Sequence, residues 1–173
     1  TRNNYERGRT GKSEEGVNHL MIFRGDQAGD GSWNIVSMPF NDDEYSVGHP
    51  ALSEDETKLY FVSNKPGGIG GTDIYYVEID SVGNYSTPYH MGSVINTEGA
   101  EMFPFERDGF LFFSSDGHVG LGGLDVFSAF KGDRRFHKIE NVGIPINSSF
   151  DDFAFVLGED KVNGFMASNR PGG

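Results

Sequence analysis

The sequence predicts an all-β chain arranged as a β-propeller of four-stranded antiparallel blades, and three observations lead there. A glycine-rich motif recurs at an interval of about 50 residues, the period of one blade. Glycine is abundant at 25 residues, and aromatics make up 13% of the chain with 15 Phe, which suits tight turns between bulky strands. No stretch keeps apolar residues at a 3.6-residue spacing without a glycine breaking it, which argues against helices.

The motif reads Ser63-Asn64-Lys65-Pro66-Gly67-Gly68-Ile69-Gly70-Gly71-Thr72-Asp73-Ile74-Tyr75 in its best copy. A second copy runs from Ser114 to Phe127 and contains Gly122-Gly123-Leu124-Asp125, and a third begins at Ser168-Asn169-Arg170-Pro171. The serines at 63, 114 and 168 lie 51 and 54 residues apart. Gly92-Ser93-Val94-Ile95-Asn96 returns 51 residues later as Gly143-Ile144-Pro145-Ile146-Asn147, with Pro39-Phe40-Asn41 as a weaker earlier copy. A β-sandwich, the nearest competitor, predicts no fixed repeat.

Within the unit, Pro50 to Ser53 reads as a first short strand and Glu54 to Thr57 as a polar turn. Lys58 to Ser63 is nearly all apolar, which predicts a strand buried on both faces. Asp73 to Ile79 is a third strand and Tyr89 to Ile95 a poorer outer one, as sheet edges tend to be. The domain reading is a loop or linker over 1–17, then propeller repeats over 18–173. These divide into a partial blade 18–41, blades 49–98 and 103–147, and a partial blade 151–173. That is about three blade equivalents, and closed propellers have 4–8, so the chain reads as a fragment of a larger propeller.

Asp73 and Asp125 each close a Gly-Gly loop and open a strand. Their predicted role is structural, with each carboxylate accepting backbone N–H bonds from its own turn. Gly67, Gly68, Gly70, Gly71, Gly122 and Gly123 are predicted to supply positive φ and close backbone approach. Asp26-Gln27-Ala28-Gly29-Asp30-Gly31 loosely resembles a calcium loop, but Ala28 stands at a ligand position and no Glu follows at the twelfth, so a hairpin turn is predicted. Asn64, Lys65, His118, Asn169 and Arg170 are the candidate partner-facing loop residues.

The motif set from His49-Pro50-Ala51-Leu52-Ser53 through Lys58-Leu59-Tyr60-Phe61 to Asp73-Ile74-Tyr75 resembles the WD40-like repeat of TolB-type propellers. It is closest to the group found in OmpA-family, outer-membrane-associated proteins, some of which serve type IX secretion. The resemblance covers roughly 18–173. It implies a periplasmic scaffold with protein partners in the cell envelope, and peptidoglycan bound only through another domain of the parent. The second copy departs from the motif, with Asp116-Gly117-His118 in place of Pro-Gly-Gly.

Chemistry is argued against from several sides. The net charge of −12, from 14 Lys+Arg and 26 Asp+Glu, leaves no basic footprint for nucleic acid or anionic membranes. There is no Cys, hence no disulfide or thiol chemistry. The histidines at 19, 49, 90, 118 and 137 form no HxH or HExxH pair, so no metal site is predicted. No GxSxG elbow occurs, and the glycine loops lead into strands rather than helix N-termini. The expectation is no catalytic residue, no enzyme activity and no cofactor. The alternatives are a glycan or peptidoglycan-fragment module using Trp33 and tyrosines as stacking platforms, or a non-catalytic propeller attached to a larger hydrolase.

Overall fold

The computed structural model describes residues 1–3, 5–6, 9–132 and 136–172. Every regular element among them is a β-strand, and every strand pairing is antiparallel. The first ten residues hold three two-residue strands, β1 (Arg2–Asn3), β2 (Tyr5–Glu6) and β3 (Arg9–Thr10), within the stretch read from sequence as a loop. Strand β1 pairs with β4 (Leu20–Met21), and β2 with β3. A hairpin follows, β5 (Phe23–Gln27) with β6 (Trp33–Ser37).

Two complete four-stranded sheets come next. Sheet I runs in sequence order through β7 (Val47–Leu52), β8 (Lys58–Ser63), β9 (Asp73–Glu78) and β10 (Tyr89–His90). Sheet II repeats this with β11 (Glu101–Arg107), β12 (Phe110–Ser115), β13 (Asp125–Lys131) and β14 (Phe136–Asn141). A last hairpin joins β15 (Asp152–Leu157) to β16 (Gly164–Ser168). Gly173, the end of the third motif copy, lies outside the described residues.

The outer strand of sheet I is shorter than the sequence suggests. Only Tyr89–His90 pair with β9, because Gly92 adopts φ +77° and turns the chain away. The predicted hairpin turn at 26–31 forms between β5 and β6, and Asp30 caps it by accepting the N–H (2.9 Å) and hydroxyl (2.6 Å) of Ser32. Asp55, Asp80 and Asp160 cap other turns in the same way, so several surplus carboxylates are spent on turn N–H groups.

Pairing shows where the repeats align. Ser63 is opposite Asp73 in sheet I, and Ser115, not Ser114, is opposite Asp125 in sheet II. The sequence alignment on Ser114 is therefore one residue out. Both loops hold nine residues between Ser and Asp, with no insertion, and the Ser114-Ser115 doublet hid this.

The core lies between sheets. β8 is buried from Leu59 to Ser63, as a strand covered on both faces must be. Leu59 and Phe61 face back towards Ile22, Met38 and Phe40 of the first hairpin region. Tyr60 and Val62 face forward onto Leu111, Phe113, Phe127 and Ala129 of sheet II. Sheet II in turn meets the last hairpin through Phe112 and Phe155, ring centroids 5.1 Å apart. Buried rings of this kind cost about 3–5 kcal/mol when cut to Ala.

Each first strand carries a β-bulge at one place. The register shifts between Gly48 and Ala51, between Met102 and Phe105, and between Phe153 and Val156. At the bulge His49 (φ 48°), Phe103 (φ 53°) and Ala154 (φ 54°) occupy left-handed conformation without being glycine. His49 stacks on Phe103 at 4.1 Å, and its Nδ1 accepts the Phe103 N–H at 3.4 Å.

Burial pushes the His49 imidazole below its ordinary value. A depressed histidine binds its proton less readily folded than unfolded, so stability falls as pH drops through the unfolded value of about 6.5. Urea midpoints are expected to fall between pH 7.5 and 5.5, and His49→Phe, which keeps the stack, is expected to flatten that slope. An unchanged slope in the variant refutes the assignment.

Candidate functional site

The sequence-selected aspartates lie at the base of the glycine loops. Asp73 is 1% exposed, and its Oδ2 accepts the N–H groups of Ile69 (3.0 Å) and Gly70 (3.4 Å). Asp125 is fully buried, and its Oδ2 accepts from Leu121 and from Gly122 (2.9 Å). The second oxygen of each carboxylate makes no hydrogen bond, although His90 Nε2 stands 3.4 Å from Asp73 Oδ1. His90 Nδ1 accepts the Gly92 N–H (3.0 Å), and the Asn96 side-chain amide nitrogen lies 3.0 Å from its Nε2.

The glycines answer to close approach. A Cβ on Gly70 would sit 2.2 Å from the Gly99 carbonyl oxygen, and one on Gly122 would sit 2.1 Å from that of Phe150. At Gly68 it would strike Asp73 Oδ2 at 2.0 Å, and at Gly123 Asp151 Oδ1 at 2.2 Å. Gly71 has more room, and its N–H donates to the Gly99 carbonyl at 2.7 Å. Gly67 is the one with positive φ, at 89°.

The residues read as partner-facing are largely taken up inside the protein. Asn64 Oδ1 accepts the Ser46 N–H (2.7 Å), Asp116 Oδ1 that of Ala100 (2.6 Å) and Asn169 Oδ1 that of Asp151 (2.9 Å). One side chain thus ties each second strand to the entry of its first. Arg170 is spread over the Pro145 carbonyl (3.1 Å), the Ile146 carbonyl (2.6 Å) and Asp152. His118 bonds the Ile95 carbonyl (2.9 Å) and packs on Phe113 and Phe127. His118 and Arg170 thus have partners for their polar groups within the chain, and both side chains are half-buried. Lys65, in the loop between β8 and β9, is also half-buried.

Sequence reading noticed the Asn96 and Asn147 markers without assigning them a role. Asn96 Oδ1 accepts the Ile74 N–H (2.8 Å) and its Nδ2 donates to the Ile74 carbonyl (3.0 Å). Asn147 does the same to Val126, both at 2.8 Å, and Asn41 to Ile22 at 3.0 and 2.6 Å. Each asparagine replaces a strand neighbour at the head of a third strand. Three buried acids were given no role by the sequence reading, Glu101, Glu106 and Asp152. Glu101 accepts from Thr97 N–H (2.8 Å), Thr97 hydroxyl (2.6 Å) and Ser115 hydroxyl (2.7 Å). Asp152 accepts from Ser148 and Arg170, and although burial works to raise its carboxyl, those bonds outweigh it and hold it below the usual range.

A groove of about 270 Å³ lies between sheets I and II, lined among others by Lys58, Tyr60, Tyr76, Lys131 and Phe136. Under it lies Glu106, 5% exposed, with Oε2 accepting from the Tyr60 hydroxyl (2.5 Å) and Oε1 from Lys131 Nζ (2.8 Å). Burial, followed by the Glu106 carboxylate, pushes the Tyr60 hydroxyl far above its ordinary range. Lys58 Nζ stands 5.1 Å from the centre of the Tyr76 ring.

Among the described residues no group of three or more His, Cys, Asp or Glu could hold a metal ion. No family model, no curated protein and no solved structure matches the chain.

The clamps generate a direct test. Asn96→Ala and Asn147→Ala each strand a buried N–H and a buried carbonyl, so each is expected to lower stability by about 2–4 kcal/mol. Ser93→Ala, exposed in the same loop as Asn96, is expected to change it by less than about 0.5 kcal/mol. Denaturant unfolding reads both, and clamp variants as stable as Ser93→Ala contradict the assignment.

Proposed function

We propose that the chain is a section of a non-catalytic β-propeller that acts as a protein-interaction scaffold in the cell envelope, periplasmic and associated with the outer membrane. One observation carries the stacked architecture. Tyr60, Phe112 and Phe165 occupy the same place in successive second strands, three residues before Ser63, Ser115 and Ser168. Tyr60 is fully buried against sheet II, and Phe112 packs on Phe155 of the last hairpin. Phe165 is 82% exposed. A ring at a sheet-packing position, open to solvent, calls for another sheet to cover it.

The opposite end repeats the pattern. The outward face of the β5–β6 hairpin shows Trp33 (61% exposed) and Ile35 (51%) over Gly25. Stacking of further like sheets on both faces is how a propeller extends. The scaffold role draws on the resemblance of the repeat. It draws also on the use of the recurring polar groups, the loop aspartates, asparagines and buried acids, in holding the backbone.

Site-specific photocrosslinking in cells tests this reading. A photoreactive phenylalanine analogue at 165 or 33 is expected to give protein adducts in the envelope fraction. The same probe at Val82, which is 79% exposed in a turn, is expected to give none. Adducts confined to the cytosol, or equal adducts at all three sites, overturn it.

A further inference from the structure

The fourth strands of the units differ from one another in how they treat an open edge. Ser37, His90 and Asn141 hold the same place in successive units, opposite Phe23, Tyr75 and Phe127, and each lies beside the carboxamide of a clamping asparagine. The matching strands are therefore β6, β10 and β14, each the outer edge of its sheet. An outer edge offers a row of backbone N–H and C=O groups to any other strand. β10 withholds that row. It is two residues long, and Pro88, which has no N–H, stands just before it. β14 interrupts its row with a bulge at Lys138, whose φ is 56°, and carries Lys138 and Glu140 as charges along the edge.

β6 has none of these guards. It runs for five residues in unbroken register with β5, and all five are exposed. No charged residue lies between Asp30 and Asp42. Ile35 stands at the place of Pro88, two residues before the matched Ser37 and His90. The Ser32 carbonyl accepts the Ala28 N–H (2.8 Å), and the Met38 N–H donates to the Ile22 carbonyl (3.2 Å), so the even-numbered residues turn their backbone groups to β5. Strand alternation then turns the N–H and C=O groups of Trp33, Ile35 and Ser37 to the open side. The Trp33 ring leans back over β5, within 3.1 Å of where a Gly25 Cβ would sit, and so away from that side.

We propose that β6 is a pairing edge that joins two copies of this chain, β6 against β6, antiparallel and in register about Ile35. The sequence of the strand selects a second copy as its occupant. A two-fold axis through Ile35 sets that residue opposite Ile35 of the second copy, and each Trp33 opposite Ser37 of the other. The largest side chain of the strand then meets the smallest, two apolar side chains meet at the centre, and the outward backbone groups of all three residues are answered. In a chain of net charge −12, an uncharged strand is also where like copies meet with least repulsion. The product is a four-stranded sheet in the order β5-β6-β6-β5, with the strand number of sheets I and II. This pairing goes beyond the scaffold reading and does not rest on it, because a sheet edge is separate from the faces on which further sheets stack.

Sedimentation velocity of the chain across a concentration series tests the pairing. The wild type is expected to pass from one chain to two as concentration rises. Ile35→Pro, the residue that sheet I carries at this place, removes an N–H from the open side and none from the β5 ladder. It is expected to keep the melting temperature and to weaken association by about tenfold or more. The chain has no Cys, so single cysteines report the register. Ile35→Cys is expected to give a disulfide-linked dimer under mild oxidation, because directly opposed Cα atoms lie about 5.5 Å apart. Val36→Cys falls two residues out of register with its own copy, beyond the roughly 7 Å that a disulfide spans, and is expected to stay unlinked. A chain that is monomeric at every concentration overturns the proposal, and so does a dimer that Ile35→Pro leaves intact. Equal cross-linking at 35 and 36 overturns it as well, a readout that stands even if the proline variant fails to fold.

Discussion

The structure hangs on three asparagines. Asn41, Asn96 and Asn147 each pair both backbone groups of the residue at the head of a third strand, Ile22, Ile74 and Val126. A carboxamide has one acceptor and one donor edge, the same pair a neighbouring strand would offer. It therefore ends the sheet without leaving a buried orphan. Because the asparagine sits at the close of the fourth-strand segment, it also sets where the chain leaves the sheet. In sheet I the next residue, Thr97, bonds Glu101, and Glu101 bonds Ser115 of the following sheet. Asn147, Ser148 and Asp152 repeat the relay. One clamp thus fixes a strand, a loop and the start of the next sheet.

The first strands show the cost of bringing sheets together. Each bends at a bulge where a side-chain-bearing residue takes left-handed φ. Such a residue costs about 1–3 kcal/mol and persists only where its surroundings over-determine it. Here the surroundings are visible, since His49 lies flat on Phe103, and Phe103 stacks on Phe153 at 5.4 Å. The bulges occur on neighbouring first strands, so the stacked rings run from sheet to sheet and return part of that cost as packing. At the other end of those strands the turn tips join as well, with Asp108 N–H on Glu54 (2.8 Å) and Lys161 on Asp108. The tips are exposed, so these contacts orient the hairpins more than they stabilise them.

Much of this was readable from the residues. Lys58 to Ser63, with its unbroken apolar run, and Asp73 to Ile79, opened by a polar turn residue, gave strands close to those observed. What escaped had physical reasons. The serine doublet at 114–115 disguised the register, which only cross-strand pairing reveals. Arg170 and His118 looked like loop side chains because their acceptors, Ile146 and Ile95, lie 24 and 23 residues away in sequence. A bulge leaves no mark in composition when the residue in left-handed conformation is His, Phe or Ala. Glu106 reads as one more surface acid in an alternating strand, Glu101 to Arg107, until its partners Tyr60 and Lys131 are seen to close over it.

A repeat protein separates two kinds of polar residue. Those that recur, such as Asp73 with Asp125 or Asn64 with Asp116 and Asn169, answer a need that every unit shares, namely pairing backbone groups in loops the sheets bury. Those that depart from the repeat answer a need of one place. Glu106 is 5% exposed, whereas Leu52 at the matching place is 50% exposed and Leu157 half-buried, so a charge is taken out of water at this one place. Its two hydrogen bonds offset the desolvation, and they also fix the direction of the Tyr60 hydroxyl and the Lys131 ammonium. The interface between the two complete sheets is therefore the place where this chain departs from its own repeat, with Glu106 holding Tyr60 and Lys131 across it.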